Sequence, residues 1–153
     1  MNQTIWKPNV TVAAVIERNG RFLLVEEETP EGIRFNQPAG HLDEGESILS
    51  ACSRETREET AWRFTPKALV GIYLIPVLNR DITYLRFAFC GELGEHDAAR
   101  KLDDGILRAV WMTPEEIRVT ADRHRSPLVL RCMEDFLIGK RYPLNILTEL
   151  LPS

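Results

Sequence analysis

The pattern of apolar and polar positions predicts a β-hairpin near the start of the chain. An apolar, β-rich run extends from Val10 to Ile16, and a second run extends from Arg21 to Glu26. Between them, the pair Asn19-Gly20 accepts the positive φ angles that a tight two-residue turn requires. We therefore expect the two runs to lie side by side as antiparallel strands.

The rest of the pattern predicts a few helices among further strands. The stretch from Ser47 to about Thr60 lacks Gly and Pro and begins with a good N-cap residue, so it favours a helix. Before it, Pro38 bars a helix and Gly40 permits an unusual backbone angle, which favours a short extended pair. Downstream, the sequence predicts three strands, a short helix and a last amphipathic helix, in the segments ALVGIYLIPVL, DITYLRFAFCGEL, LRAVWM, TPEEI and SPLVLRCMEDFLIG. Because strands outnumber helices and hairpin links predominate, we expect a layered α+β domain rather than a parallel doubly wound sheet.

Length and composition are those of one soluble domain spanning residues 1–153. The net charge of -4 argues against nucleic acid or an anionic membrane as a partner, because neither attracts a near-neutral to acidic surface. No apolar run approaches the roughly 20 residues of a membrane span, and the segment MNQTIWKPN lacks the layout of a signal peptide. Cys52, Cys90 and Cys132 have no ligand spacing, so we expect buried, reduced thiols in a cytoplasmic protein.

All of the net charge lies in one window, Gly40 to Trp62, which holds six acids against two arginines. On a helix, Glu58 and Glu59 follow Glu55 by three and four residues, so the three carboxylates can converge on one side. Carboxylates pressed toward a core need a positive partner or must protonate. The spacing alone leaves two interpretations open: a solvated, salt-bridged helix, or a site for a hard cation such as Mg²⁺, with Mn²⁺ as a substitute.

The order of these residues resembles the signature of the Nudix hydrolases. Gly40 is followed after five residues by Glu46, after seven more by Arg54-Glu55, and then by Glu58-Glu59. The resemblance implies an α/β/α sandwich, a mixed sheet with a catalytic loop-helix-loop, and Mg²⁺-dependent hydrolysis of phosphoanhydride bonds. For individual residues it implies metal binding by Glu55, Glu58, Glu59 and the backbone carbonyl of Ala39, and structural bracing of the motif by Gly40, Glu46 and Arg54, the last two as an ion pair.

Two positions depart from this signature. Ala61 stands where the family has glycine, and Thr56 stands where it has an aliphatic residue. If Ala61 adopts a left-handed conformation at the end of the helix, the cost is about 1 kcal/mol. Neither departure removes a metal ligand, so we expect both to be compatible with catalysis.

Three shorter segments, FNQPAGHLD, RSPLV and RYPL, resemble the NudJ-type phosphatase subgroup of this family. This resemblance implies release of orthophosphate from nucleoside tri- and diphosphates or from thiamine-type pyrophosphates. Two alternatives remain open: a pyrophosphohydrolase of nucleoside triphosphates or nucleoside diphosphate derivatives, and a non-catalytic module that binds a nucleotide. The complete set of motif glutamates favours an enzyme over the non-catalytic module.

A water nucleophile requires a proton acceptor, and no Ser-His-Asp or Cys-His arrangement is evident in the sequence. Glu55 or Glu58 could accept the proton, and so could Asp103 in the polar loop that precedes Trp111. Arginine suits the terminal phosphates of a small pyrophosphate substrate, and aromatic residues suit a base or a thiazole-like ring. The candidate substrate-binding residues are Arg34, Phe35, Gln37, Tyr84 and Arg86, for which roles in the sheet or at the surface remain equally open. The sequence does not decide between a monomer and a homodimer.

Overall fold

The computed structural model describes residues 4–152, which contain nine strands and three α-helices. The helices are α1 Ile48–Thr60, α2 Pro114–Val119 and α3 Leu128–Leu137. None of these three helices is long and apolar enough to cross a membrane. The strands are β1 Asn9–Ala14, β2 Glu17–Arg18, β3 Arg21–Thr29, β4 Gly32–Asn36, β5 Ala39–His41, β6 Trp62–Val77, β7 Ile82–His96, β8 Ile106–Met112 and β9 Tyr142–Pro143.

The first two apolar runs do not form one simple hairpin. β1 lies in a five-stranded sheet of order β5-β1-β7-β6-β9, in which it pairs with β7 in parallel. β3 lies in a second sheet with β4 and β8, and only the short β2 forms the predicted turn with it, at Asn19 (φ 54°) and Gly20 (φ 78°). The run from Val12 to Ile16 is buried throughout, so it lacks the alternation that would identify its partner. The predicted pairing is therefore wrong except at the turn.

The helices cover opposite sides of the sheets. Val12 and Ala14 of β1 pack in the same core as Ala51 of α1. Ala13, between them, packs in the other core with Val129 of α3. This alternation follows from the pleat, because successive side chains of a strand point to opposite faces. The fold is therefore the α+β, α/β/α sandwich that the sequence predicts.

The hairpin of β6 and β7 is longer than the sequence predicts, since its strands extend to Trp62 and His96. The predicted strands stop short of Pro66, a residue that cannot donate to a ladder and lies only at edges or irregularities. Pro66 pairs with Gly91 next to a shift in register. A side chain on Gly91 would overlap the backbone of the facing strand, so glycine permits the close approach here. Pairing with β7 along the hairpin therefore continues β6 beyond a residue that ends the local pattern.

The cysteines are free, buried thiols, as predicted. Burial raises the pKa of each of them, Cys52, Cys90 and Cys132. A thiol with a raised pKa carries little thiolate at neutral pH and is a poor nucleophile. The cysteines therefore belong to the cores of the fold and not to its chemistry.

Candidate active site

Helix α1 carries most of the predicted site residues, and both of its ends are well defined. At its start, the Ser47 hydroxyl accepts a hydrogen bond from the Ser50 N–H at 3.0 Å, as predicted for an N-cap. At its end, Ala61 adopts the left-handed conformation with a φ of 64°. Thr56 is buried, and its hydroxyl donates to the Cys52 carbonyl at 2.8 Å. Both departures from the family signature are thus accommodated within the helix.

Three carboxylates converge beside α1. Oxygen atoms of Glu55, Glu58 and Asp103 all lie within 4.8 Å of one another. Asp103 belongs to the loop between β7 and β8, and backbone hydrogen bonds hold that loop on both sides. The Asp103 N–H donates to the Glu58 carbonyl at 3.0 Å, and the Glu28 N–H of β3 donates to the Gly105 carbonyl at 2.8 Å. The loop is therefore attached both to the helix and to the second sheet.

Glu59 is not one of these three carboxylates and contacts strand β5 instead. It is 8% exposed, and its Oε1 accepts a hydrogen bond from the Ala39 N–H at 2.9 Å. Burial raises the pKa of the Glu59 carboxyl to about 9, and the nearby charges of Glu27, Glu55 and Asp103 add to the rise. At neutral pH this carboxyl keeps its proton unless a cation offsets its charge.

Glu55 lies directly against Gly40. Its carboxylate occupies the space that a Cβ atom at position 40 would need, so only glycine allows the contact. The backbone of Gly40 does not use the left-handed conformation that glycine permits, so close approach is the reason for glycine here. Burial raises the pKa of Glu55, although its hydrogen bond to Arg54 opposes the rise. The contact between β5 and α1 therefore holds, besides Glu59, a second carboxyl whose negative charge is poorly offset.

Arg54 contacts the acids from the side of the loop before α1. Its Nε and Nη2 atoms donate to Glu46 at 2.6 and 3.0 Å. Its Nη1 atom donates to Glu55 at 2.8 Å and to Glu58 at 3.1 Å, and Nη2 also donates to the His41 carbonyl at 3.0 Å. The hydrogen bond from Arg54 is the main cause that lowers the pKa of Glu46. The predicted Glu46–Arg54 ion pair is thus present and joins the loop to the helix.

The oxygen atoms of the converging carboxylates fit a hard divalent cation. Within residues 4–152, Arg54 is the only basic side chain paired with Glu55 or Glu58. One guanidinium shared with Glu46 cannot neutralise three converging carboxylates. Carboxylate oxygens without sulfur or nitrogen are the ligands that Mg²⁺ and similar ions take. The residues present therefore fit a divalent metal, and Asp103, predicted only as a proton acceptor, lies among its candidate ligands.

The family model described as NUDIX domain matches residues 6–132 of this chain. The chain belongs to the Nudix family. Phosphatase NudJ of Escherichia coli is 36% identical over 145 residues, which cover 95% of this chain and 94% of that protein. The Nudix chain is accordingly a hydrolase that acts on phosphoanhydride bonds.

Solved Nudix structures resemble the fold described above. A NUDIX hydrolase from Nitrosomonas europaea is 54% identical, with a TM-score of 0.92 over 96% of this chain and 100% of that one. A MutT NUDIX hydrolase from Burkholderia pseudomallei is 19% identical, with a TM-score of 0.73 over 85% of this chain and 98% of that one. The second likeness concerns the fold alone.

The candidate substrate-binding residues of this Nudix domain lie in two environments. Phe35 is in the core, and Gln37 and Arg86 are only 2% and 6% exposed. Arg34 and Tyr84 are partly exposed, and the Tyr84 ring meets the ring of a β5 histidine edge-on, with centroids 6.0 Å apart. Direct contact with substrate is therefore easier for Arg34 and Tyr84, and the substrate role of all five stays a prediction.

Gln37 and Arg86 form a buried hydrogen-bond network next to Ala39. Arg86 donates to the Gln37 side chain at 3.1 Å and to the Asn36 side chain at 3.2 Å. Gln37 in turn donates to the Val129 carbonyl of α3 at 2.8 Å. Val129 ends the segment RSPLV, and Gln37 lies in FNQPAGHLD. These two distant segments are thus joined by one network behind the site.

Glu27 and Arg125 border the site, although neither is among the predicted residues. The Arg125 Nη1 donates to the Glu27 Oε1 at 3.0 Å, and the charge of Glu27 acts on Glu59. Glu27 is one of three successive glutamates, and Arg125 follows another arginine closely. Local sequence patterns therefore do not identify Glu27 or Arg125 as residues of the site. The one sequence signal is the segment RSPLV, which begins with Arg125.

We expect Glu46 and Arg54 to be energetically coupled. In a double-mutant cycle of Glu46→Gln and Arg54→Ala, the coupling in the free energy of unfolding should reach ~1 kcal/mol or more, because either loss leaves the partner uncompensated. Because Arg54 lowers the pKa of Glu46 in the fold, the coupling should be complete above the ordinary value of 4.5 and disappear as pH falls through the lower folded value. Urea unfolding at several pH values measures it.

The exposed pair Arg118–Glu134 provides the control for this cycle. We expect a smaller coupling there, because solvent and salt screen exposed charges. A Glu46–Arg54 coupling no larger than that of the control pair would remove the bracing role. A coupling that stays constant across the acid range would remove the ion pair as its origin.

Proposed function

We propose that this Nudix protein is a Mg²⁺-dependent phosphatase that releases orthophosphate from nucleoside tri- and diphosphates or from thiamine-type pyrophosphates. The observation that carries the proposal is the convergence of Glu55, Glu58 and Asp103 within 4.8 Å. Similarity to Phosphatase NudJ along 95% of the chain supports the phosphatase activity. Mn²⁺ should substitute for Mg²⁺, because it accepts the same oxygen ligands.

The metal would be held by Glu55, Glu58 and Glu59 together with the Ala39 carbonyl, and Asp103 offers a further oxygen. The hydrogen bond from the Ala39 N–H fixes Glu59 at the boundary of strand and helix. When bound, Mg²⁺ supplies positive charge that offsets the phosphate oxygens and favours the ionisation of water. The same charge would offset the carboxylates of Glu55 and Glu59, whose pKa values burial raises.

Asp103 is the best placed residue to accept a proton from the attacking water. Its side chain is exposed, and no donor among residues 4–152 is hydrogen-bonded to its carboxylate. Glu55, in contrast, is buried against Gly40, and Glu58 accepts a hydrogen bond from Arg54. A positioned proton acceptor of this kind contributes roughly 10² to 10⁴ in rate. Glu55 and Glu58 then serve first as metal ligands.

The ring end of the substrate would lie beside the acids, at His41 and Tyr84. The edge of one ring meets the face of the other, with centroids 6.0 Å apart, on β5 and β7, the two neighbours of β1. Aromatic faces suit a base or a thiazole-like ring without reading its polar edge, so we expect tolerance of different bases. We expect small cytoplasmic substrates, and neither nucleic acid nor a membrane as a partner, because the net charge is -4.

Hydrolysis in ¹⁸O-labelled water tests the proposed position of attack. We expect label in the orthophosphate released from a nucleoside triphosphate and, in a second step, from the diphosphate, because attack on the terminal phosphorus places the new oxygen there. The Glu58→Gln variant, purified in parallel, excludes a contaminating phosphatase. Pyrophosphate as the main product from a triphosphate would identify a pyrophosphohydrolase instead. Binding of nucleotides without turnover would favour the non-catalytic module.

A further inference from the structure

We propose that Arg125 binds a phosphate group of the substrate and that Glu27 positions its guanidinium. The inference rests on one part of the proposed function: a pyrophosphate-containing substrate must bind beside Glu55, Glu58 and Asp103, which together form the acidic site. Arg125 begins the segment RSPLV, which leads into α3. Its role follows from its position, where this segment meets β3 and the loop between β7 and β8 that contains Asp103 (the Asp103 loop).

Glu27 lies at the edge of the acidic site because β3 is joined to the Asp103 loop. Glu27 pairs in register with Ile106, and the N–H of its neighbour Glu28 donates to the Gly105 carbonyl at 2.8 Å. The Ile106 N–H in turn donates to the Asp103 carbonyl at 3.0 Å. Ile106, the strand partner of Glu27, is thus only one hydrogen-bonded turn away from Asp103, one of the converging carboxylates.

Arg125 is held at the same edge by its backbone and by its side chain. Its N–H donates to the Phe35 carbonyl of β4 at 2.8 Å, and its Nη1 donates to the Glu27 Oε1 at 3.0 Å. The side chain of Arg125 is 39% exposed and that of Glu27 is 13% exposed. A guanidinium has five N–H donors, of which only Nη1 bonds another residue of the described chain. Donors therefore remain for a ligand that enters from solvent.

The other members of RSPLV have roles inside the fold. The Ser126 hydroxyl accepts a hydrogen bond from the Leu128 N–H at 3.2 Å, and both Leu128 and Val129 are buried. Arg86, a candidate substrate-binding arginine like the partly exposed Arg34, is buried and bonded to two side chains of the β4–β5 segment. Arg125, unlike Arg86, can therefore reach a ligand without breaking the core.

An anionic substrate needs a basic side chain besides Arg54, because the other charged side chains around the site are mostly negative. Arg54 is already hydrogen-bonded to three carboxylates. Arginine binds phosphate through paired N–H donors, and a dianionic phosphate competes well with one carboxylate for them. Before substrate arrives, Glu27 keeps the guanidinium extended at the site, which reduces the ordering cost of binding. Five acids lie close together in this part of the fold: Glu27, Glu55, Glu58, Glu59 and Asp103.

Steady-state kinetics of Arg125→Ala and Arg125→Lys with a nucleoside diphosphate and saturating Mg²⁺ test this role. For the alanine variant we expect KM to rise about 10-fold or more while kcat stays within about 3-fold, because a binding contact and no reacting group is lost. The lysine variant should be intermediate, since it keeps the charge but lacks the paired donors. Inhibition by inorganic phosphate should weaken by a factor similar to the rise in KM.

Glu27→Gln is the matched variant, because it removes the same ion pair and leaves the guanidinium in place. We expect its KM to rise by about 3-fold, clearly less than in Arg125→Ala, because the guanidinium remains but is held less well at the site. Arg118→Ala controls for the loss of an exposed arginine from an ion pair remote from α1, and should leave KM unchanged. Equal rises in KM for Glu27→Gln and Arg125→Ala would overturn the proposal, because the ion pair alone would then explain both. A lower melting temperature with unchanged KM in Arg125→Ala would also overturn it.

The outcome for Arg125 can be separated from the outcome for the proposed phosphatase activity. If product analysis shows pyrophosphate in place of orthophosphate, the same variants are compared with the nucleoside triphosphate as substrate. A rise in KM confined to Arg125→Ala and Arg125→Lys then supports the phosphate contact although the position of attack is different. An unchanged KM on that substrate removes the contact.

Discussion

Excess EDTA is expected to abolish hydrolysis by this protein, and added Mg²⁺ is expected to restore it. The reason is that Glu55, Glu58 and Asp103 converge within 4.8 Å, while Arg54 is the only basic side chain of residues 4–152 that pairs with either glutamate. Without a cation, an anionic pyrophosphate group would have to enter a site of the same charge. Release of phosphate from a nucleoside triphosphate, followed with and without the chelator, measures the effect.

Chelation should act on the reaction and not on the fold. Both hydrophobic cores are built from apolar side chains of the sheets and helices and need no metal to close. We therefore expect the circular dichroism spectrum to be unchanged in EDTA, and Mn²⁺ to restore turnover as Mg²⁺ does. Undiminished turnover in excess EDTA would show that the carboxylate cluster is only a salt-bridged face of α1.

Glu58→Gln is expected to reduce the rate at least ~100-fold while the protein stays folded. Glutamine has nearly the same shape as glutamate but carries no negative charge, so a metal ligand is weakened without a cavity. Glu58 is also one of the carboxylates bonded to Arg54, at 3.1 Å, so the loss of its charge leaves that guanidinium paired with Asp43, Glu46 and Glu55. Initial rates at saturating Mg²⁺ and the melting temperature of the variant measure both parts of the expectation.

Glu44→Gln is the matched control, because Glu44 belongs to the same acidic window but is exposed in the loop before α1. We expect wild-type rates for this variant. If Glu58→Gln also turned over at a rate near that of the wild type, Glu58 would be a solvated residue of the helix surface. Equal losses in the two variants would mean that the overall charge of the window matters and not the position of one ligand.

How far the sequence predicts the structure depends on whether the determining contacts are local. The N-cap at Ser47 and the left-handed end at Ala61 agree with the structure, because each depends on the conformation of a few successive residues. The partner of β1 is not predicted, because the run from Val12 to Ile16 is buried on both faces and shows no alternation. β6 likewise continues through Pro66, where pairing with the facing strand β7 overrides the local signal.

By itself, the sequence determined the family, the order of the motif and the set of acids on α1. Its helical spacing is enough to place Glu55, Glu58 and Glu59 along neighbouring positions of one helix. Only the tertiary structure decided that Glu59 turns to the Ala39 N–H and that Asp103 joins the other two glutamates. It also decided which arginines surround the site, since Arg86 is buried and Arg125 reaches Glu27. The physical reason is that these contacts join elements far apart in the chain, and local periodicity carries no information about which distant elements meet.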